Sequence, residues 1–183
     1  MVRFPVTVFC AATPPPERAE EYLALAEDFG RMLAEAGMTC VNGGSGGMMT
    51  ALSRGAAAGG RKSHGICLTQ FPPEPDVHAT VEHHTHLSPR QHALMLAGQA
   101  YVALPGGYGT AMEVLDVLCR KVLQEIPMER PLICVGSEHT ELKRLLVGIH
   151  QRHFSSHDPY KLVNFVASTE KAMEILTAAR AVQ

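Results

Sequence analysis

The chain has 183 residues, 46% hydrophobic and 19% charged, with a formal charge of −2, a size that suits one domain over residues 1–183 without a disulfide or metal staple. With no tryptophan, 5% aromatics and no basic block, it offers nucleic acid neither a phosphate-neutralising stripe nor a stacking platform. No apolar run approaches the roughly 18 residues of a membrane span, Met1 to Cys10 lacks a signal-peptide pattern, and Cys10, Cys40, Cys67, Cys119 and Cys134 show no paired spacing, so a cytoplasmic protein with reduced thiols and no membrane partner is expected.

Val6 to Cys10 reads as a strand. After the breaker Thr13-Pro14-Pro15-Pro16, apolar residues at Ala19, Tyr22, Leu23, Ala26, Phe29, Leu33 and Ala36 mark a helix that Gly37 ends. Thr39 to Asn42 is a second strand, Gly43 to Gly47 a glycine loop, Met48 to Ala58 a helix and Ser63 to Leu68 a third strand. A Pro-rich and His-rich stretch from Thr69 to Arg90 follows, holding a short strand at Val81 to Thr85. Pro89 to Gly98 is helical, with Pro89 in its first turn, and Ala100 to Leu104 is an apolar strand entering a second glycine loop, Pro105 to Gly109. Thr110 to Gln124 is a helix, Leu132 to Val135 a strand, Thr140 to His153 a helix, Leu162 to Val166 a strand and Thr169 to Ala181 a closing helix. This alternation predicts an α/β fold with a mostly parallel sheet, helices on both faces and right-handed crossovers. Ligands of such sheets bind beyond the carboxyl ends of the strands.

Both glycine loops run from strand to helix and so lie at that edge, where backbone N–H groups and helix dipoles favour an anion. The candidate anion contacts are Gly43, Gly44, Ser45 and Gly46 in the first loop and Gly106, Gly107, Tyr108, Gly109 and Thr110 in the second. Neither loop ends in the Gly-Lys-Ser/Thr of a nucleoside triphosphate loop, and the first strand lacks the Gly-x-Gly-x-x-Gly turn of a dinucleotide site. One such loop alone would be read as a tight turn; two at one edge favour a ligand.

Thr110-Ala111-Met112-Glu113 fits a Ser/Thr-x-x-Glu capping box, the simpler explanation of Glu113 taken alone. The competing reading puts that carboxylate beside a ligand held by the loop. Arg90 opposes the dipole of its own helix start, which an anionic ligand explains better than solvation does. His78, His83, His84, His86 and His92 crowd one stretch without a metal-ligand spacing, so a solvated loop is favoured over a metal site. Met48, Met49, Met95 and Met112 read as core or pocket filler.

Pro105-Gly106-Gly107-Tyr108-Gly109-Thr110-Ala111-Met112-Glu113, with Arg90 15 residues before Pro105, resembles the Pro-Gly-Gly-x-Gly-Thr-x-x-Glu signature and spaced arginine of the LOG (Lonely Guy) family. Asn42-Gly43-Gly44-Ser45-Gly46-Gly47-Met48-Met49 is similar to that family's first glycine loop, and the similarity runs from about Val6 to Val135. The resemblance implies a Rossmann-like homodimer that hydrolyses the N-glycosidic bond of nucleoside 5′-monophosphates, cytokinin riboside 5′-monophosphate or AMP-like, to free base and ribose 5-phosphate. It further implies Arg90 and Glu113 as the catalytic pair, the second loop as the phosphate site, a small-molecule nucleoside monophosphate as the partner, and neither cofactor nor metal. The chain departs from the pattern at Gln91, where the family has lysine, at Ser45 and Gly46, and at Cys10-Ala11-Ala12, where many relatives have Cys-Gly-Ser; Asn42 differs as well. Two alternatives stand beside hydrolysis of purine monophosphates: a non-hydrolytic nucleotide or cofactor carrier, and a pyrimidine monophosphate hydrolase.

Overall fold

A computed structural model describes residues 4–182 of the chain. Seven strands form one sheet: β1 (Pro5–Phe9), β2 (Thr39–Asn42), β3 (Ser63–Leu68), β4 (His78–His84), β5 (Ala100–Ala103), β6 (Leu132–Val135) and β7 (Asn164–Val166), in the order β4-β3-β2-β1-β5-β6-β7. All six pairings are parallel; helices make the crossovers except between β3 and β4, which are joined by the loop 69–77 alone. The longer helices are α1 (Ala19–Glu35), α2 (Gly47–Ala58), α3 (Leu87–Ala97), α4 (Tyr108–Val122) and α5 (Thr140–Gln151), then α7 (Thr169–Ala181) after the single turn α6 (Pro159–Leu162).

The period-2 alternation of the strands sorts these helices into two layers. Val6 and Val8 of β1, with Ala100 and Val102 of β5, pack against Tyr22, Phe29 and Leu33 of α1, Leu52 of α2 and Leu176 of α7. Phe9, Tyr101 and Ala103 point the other way, onto Leu94 and Met95 of α3 and Val114 and Val117 of α4. Each fully buried side chain of this kind contributes about 2 kcal/mol through removal of apolar surface from water. The buried Thr7 hydroxyl donates to Leu94 O at 3.1 Å and the Tyr101 hydroxyl to Met95 O at 2.6 Å, so the polar groups on this face also anchor α3.

The strand order reverses beside β1: β2, β3 and β4 build outward on one side, β5, β6 and β7 on the other. The carboxyl ends of β1 and β5 therefore flank a crevice, and both glycine loops open onto it.

Beyond one-residue shifts, five elements differ from their expected bounds. Helix α3 starts at Leu87, two residues before Pro89. The histidine-rich strand starts at His78, with a register irregularity between Ser63 and His64 on its partner. Helix α4 starts two residues earlier, at Tyr108, and ends at Val122, where Gln124 turns to φ +62°. Helix α5 stops at Gln151, before His153 at φ +62°. The strand expected from Leu162 divides into α6 and β7, because the Asp158 carboxylate accepts from Tyr160 N and Pro159 fits the first helical position.

Candidate active site

A cavity of about 600 Å³ lies at the crevice. Its walls come from the end of β1 (Phe9 to Thr13), the first glycine loop (Gly43, Ser45, Gly46), the second (Gly107, Tyr108, Gly109, Thr110), and Arg90 and Glu113. Met49, Leu68 and Phe71 add an apolar side. The segment after β1 ties the loops together: Ala11 N donates to Pro105 O and Ala11 O accepts from Met48 N, both at 3.1 Å. Gly44 and Gly106 stand outside this lining; Gly106 lines a neighbouring cavity with Tyr22 and Glu138.

Glu113 reaches the cavity because of the helical period. Thr110, Glu113, Val114, Val117, Leu118 and Lys121 are the buried residues of α4, one stripe at i, i+3, i+4, i+7, i+8 and i+11. The apolar members seat the helix on the sheet and carry Glu113 to the strand ends. The expected capping box does not form: Gly107 is the N-cap, no side chain caps the helix, and Glu113 sits in the second turn, beyond reach of the orphan amides. Its carboxylate faces Arg90 Nη1 at 3.5 Å instead.

Both members of this pair are nearly covered, with side-chain exposures of 12% and 10%. Burial pushes the Glu113 carboxyl up to about 7, against the opposing pull of Arg90, because desolvation disfavours the charged form. Arg90 is fixed at a second point, donating through Nε to Ile66 O at 3.0 Å. Its Nη2 lies against Gly43, where an added Cβ would overlap the guanidinium. The Cys10 thiol, also buried at this end of β1, is pushed up by burial and by Glu113, which keeps it protonated.

The two loops use their amides differently. Gly44 N donates to Asn42 Oδ1 at 2.7 Å and Gly46 N to Thr50 Oγ1 at 3.2 Å, while Ser45 Oγ donates to Pro72 O at 3.1 Å. In the second loop Tyr108, Gly109 and Thr110 are the first three residues of α4, whose N–H groups have no carbonyl one turn back to bond. Gly107 and Gly109 have no positive φ, and a Cβ at either would meet nothing within 4 Å. Neither a turn nor packing requires glycine there; clear space above three amides at a helix start is what an anion needs.

The cysteines are free, four buried and Cys119 exposed. Met48 and Met95 are core residues, whereas Met49 faces the cavity and Met112 is partly exposed. Among the described residues no group of three or more His, Cys, Asp or Glu could hold a metal ion, and no helix is long and apolar enough to cross a membrane.

A family model described as "Possible lysine decarboxylase" matches residues 49–176, which include Arg90, the second loop and Glu113. The chain belongs to this family. Curated relatives include proteins named cytokinin riboside 5′-monophosphate phosphoribohydrolase from Rhodococcoides fascians, 38% identical over 118 residues, and from Mycobacterium marinum, 32% identical over 123 residues. These alignments cover 62% and 63% of this chain, and 59% and 62% of the relatives. The chain thus spans about half to three fifths of the length of the curated relatives it matches. Among solved structures, the molybdenum cofactor carrier protein of Chlamydomonas reinhardtii is 23% identical, with a TM-score of 0.74 over 98% of this chain and 99% of that one. The molybdenum cofactor binding protein of Rippkaea orientalis is 18% identical, with a TM-score of 0.73 over 97% and 98%. At these identities the likeness concerns the Rossmann-like fold.

Proposed function

We propose that this protein hydrolyses the N-glycosidic bond of nucleoside 5′-monophosphates, releasing the base and ribose 5-phosphate. The observation that carries the reading is the buried Arg90–Glu113 pair, 3.5 Å apart, in a cavity whose rim includes the uncapped start of α4. Relatives named for this reaction on cytokinin riboside 5′-monophosphates support it.

The 5′-phosphate lies over Gly107 and Gly109 and accepts from the amides of Tyr108, Gly109 and Thr110, with the Thr110 hydroxyl beside it. The ribose then points down the cavity toward Glu113, and Met49, Leu68 and Phe71 offer the base an apolar side. Cleavage breaks the C1′–N bond through an oxocarbenium-like transition state. Water forms the new C1′–O bond, and its proton leaves with the base. Glu113 in its carboxylate form opposes the developing positive charge, receives the water proton and passes it on to the departing base, which restores the carboxylate, a task suited to a group titrating near neutrality. Arg90, held at both Ile66 O and Glu113, orients that carboxylate.

Incubation with AMP, GMP, CMP, UMP and N6-isopentenyl-AMP, with base and ribose 5-phosphate quantified by mass spectrometry, tests the reaction and ranks purine against pyrimidine. Stoichiometric release that Glu113→Ala abolishes is the expected result. Saturable binding of a monophosphate without release overturns it in favour of a carrier.

A further inference from the structure

The first glycine loop carries an arrangement that the proposed reaction does not use. Gly44, at φ +80°, is held on both sides of its backbone: its N–H by Asn42 Oδ1 at 2.7 Å, its carbonyl by His78 Nε2 at 3.0 Å. A carbonyl can only accept, so Nε2 carries the proton. In the neutral ring Nδ1 is then free to accept from the Ser63 hydroxyl, 2.8 Å away. Ser63 and His78 are paired at the starts of β3 and β4. Gly65 leaves the space that this stack needs, since a Cβ there would crowd both the His78 ring and Gly44 Cα. The loop has little room to drift, because Gly44 also rests against Cys67 Sγ.

The next residue back along this loop is Gly43, and the Arg90 guanidinium lies against it. Moving Gly44 moves that backing, and Arg90 is the ion partner of Glu113. We infer that His78, through Gly44 and Gly43, is a positioning residue that sets the Arg90 guanidinium opposite Glu113. One histidine of the histidine-rich segment thereby acquires a role that is neither metal binding nor solvation. The inference rests on the proposed hydrolysis only for its kinetic consequence; the geometry it describes exists without substrate.

The charged and titratable groups around the two ends of this chain of contacts are few. Glu113 faces Arg90 from α3, Cys10 from the end of β1 and Asp116 on its own helix. His78 faces His64 from β3 and Glu74 from the preceding loop, and Glu74 is itself paired with Arg54 at 2.6 Å. Withdrawing Arg90 removes the single cation near Glu113 among these groups, so its titration moves further up.

The test compares wild type, His78→Ala and His78→Gln, the last retaining an amide donor for Gly44 O. The Glu113 carboxyl is titrated by 13C NMR in all three proteins, with Glu113→Gln used to assign the signal, and the pH dependence of kcat/KM is measured on the best-cleaved monophosphate. His78→Ala is expected to raise the Glu113 midpoint, shift the acidic limb of kcat/KM by the same amount and lower kcat about tenfold with KM within about twofold; His78→Gln restores all three. An unchanged Glu113 midpoint in folded His78→Ala overturns the inference, as does a raised midpoint that His78→Gln leaves uncorrected. The titration needs no turnover, so a wild type that cleaves no monophosphate refutes the proposed function while the NMR comparison still decides the role of His78.

Discussion

The two glycine loops look alike as strings of residues and differ in what their glycines are for. In the first, Gly44 and Gly46 take φ values of +80° and +85°, their amides are bonded inside the protein, and Gly43 makes room for Arg90. In the second, Gly107 and Gly109 are under no such demand, and the amides after Gly107 open a helix with no cap. One loop is a fitting that holds a side chain; the other is, in the proposed reaction, the seat of the phosphate. A glycine-rich motif alone does not distinguish these uses, because glycine serves backbone strain, close packing and ligand access through the same missing Cβ.

Substitutions can separate these two uses of glycine. The largest effect is expected at Glu113, carried by the helix that the second loop opens: Glu113→Gln should lower kcat about 10²-fold to 10³-fold with KM little changed. Steady-state kinetics returning a near-normal kcat would take the chemistry away from this helix. Next is the cost of burying that carboxyl. Its value is about 7 in the folded protein against 4.5 for the free group. Between these limits the native state holds a proton that the unfolded chain has released, so its contribution to stability is present below the lower value and lost as pH rises through the upper one. Denaturant titrations should therefore show Glu113→Gln gaining on wild type by on the order of 3 kcal/mol from pH 4.5 to pH 8.

The loops themselves can be set against each other with one methyl group. Gly44→Ala meets both a positive φ and the Cys67 sulfur and should cost about 2 to 3 kcal/mol in chemical denaturation. Gly107→Ala should stay within about 0.5 kcal/mol of wild type yet raise KM for the monophosphate about tenfold. Equal destabilisation by the two would erase the distinction. The smallest effect belongs to Tyr108, 98% exposed at the cavity mouth: Tyr108→Ala should leave the melting midpoint unchanged and raise KM by roughly twofold to fivefold.

Much of the architecture can be read from the residues, because strands such as Thr39–Asn42 and Leu132–Val135 are largely apolar or β-branched runs bounded by glycine, proline or polar breaks. Helix α4 is harder, since it starts on a glycine N-cap with no Ser, Thr, Asp or Asn to mark it, and Thr110 offers a false start. That misplacement makes Glu113 look like a capping residue, when two residues of helical phase turn it into the buried stripe. The break before β7 was signalled by Asp158-Pro159, a cap followed by a first-turn proline. Arg90, Glu113 and the second loop, which the structure brings to one cavity, are legible through the resemblance to the family signature. Met49 is legible as pocket filler, whereas Leu68 and Phe71 are not, because periodicity says which face of an element is buried but not which residues at a strand end or in the loop beyond it cover a cavity. The two uses of the loops are likewise invisible in sequence, for they depend on φ signs and on side chains as remote as His78.

The most direct test is a crystal structure of Glu113→Gln with AMP bound. The phosphate is expected on the amides of Tyr108, Gly109 and Thr110, with C1′ facing residue 113 and the first loop touching the nucleotide through no amide of Gly44 or Gly46. A phosphate seated on the first loop, or a C1′ turned away from residue 113, would contradict it.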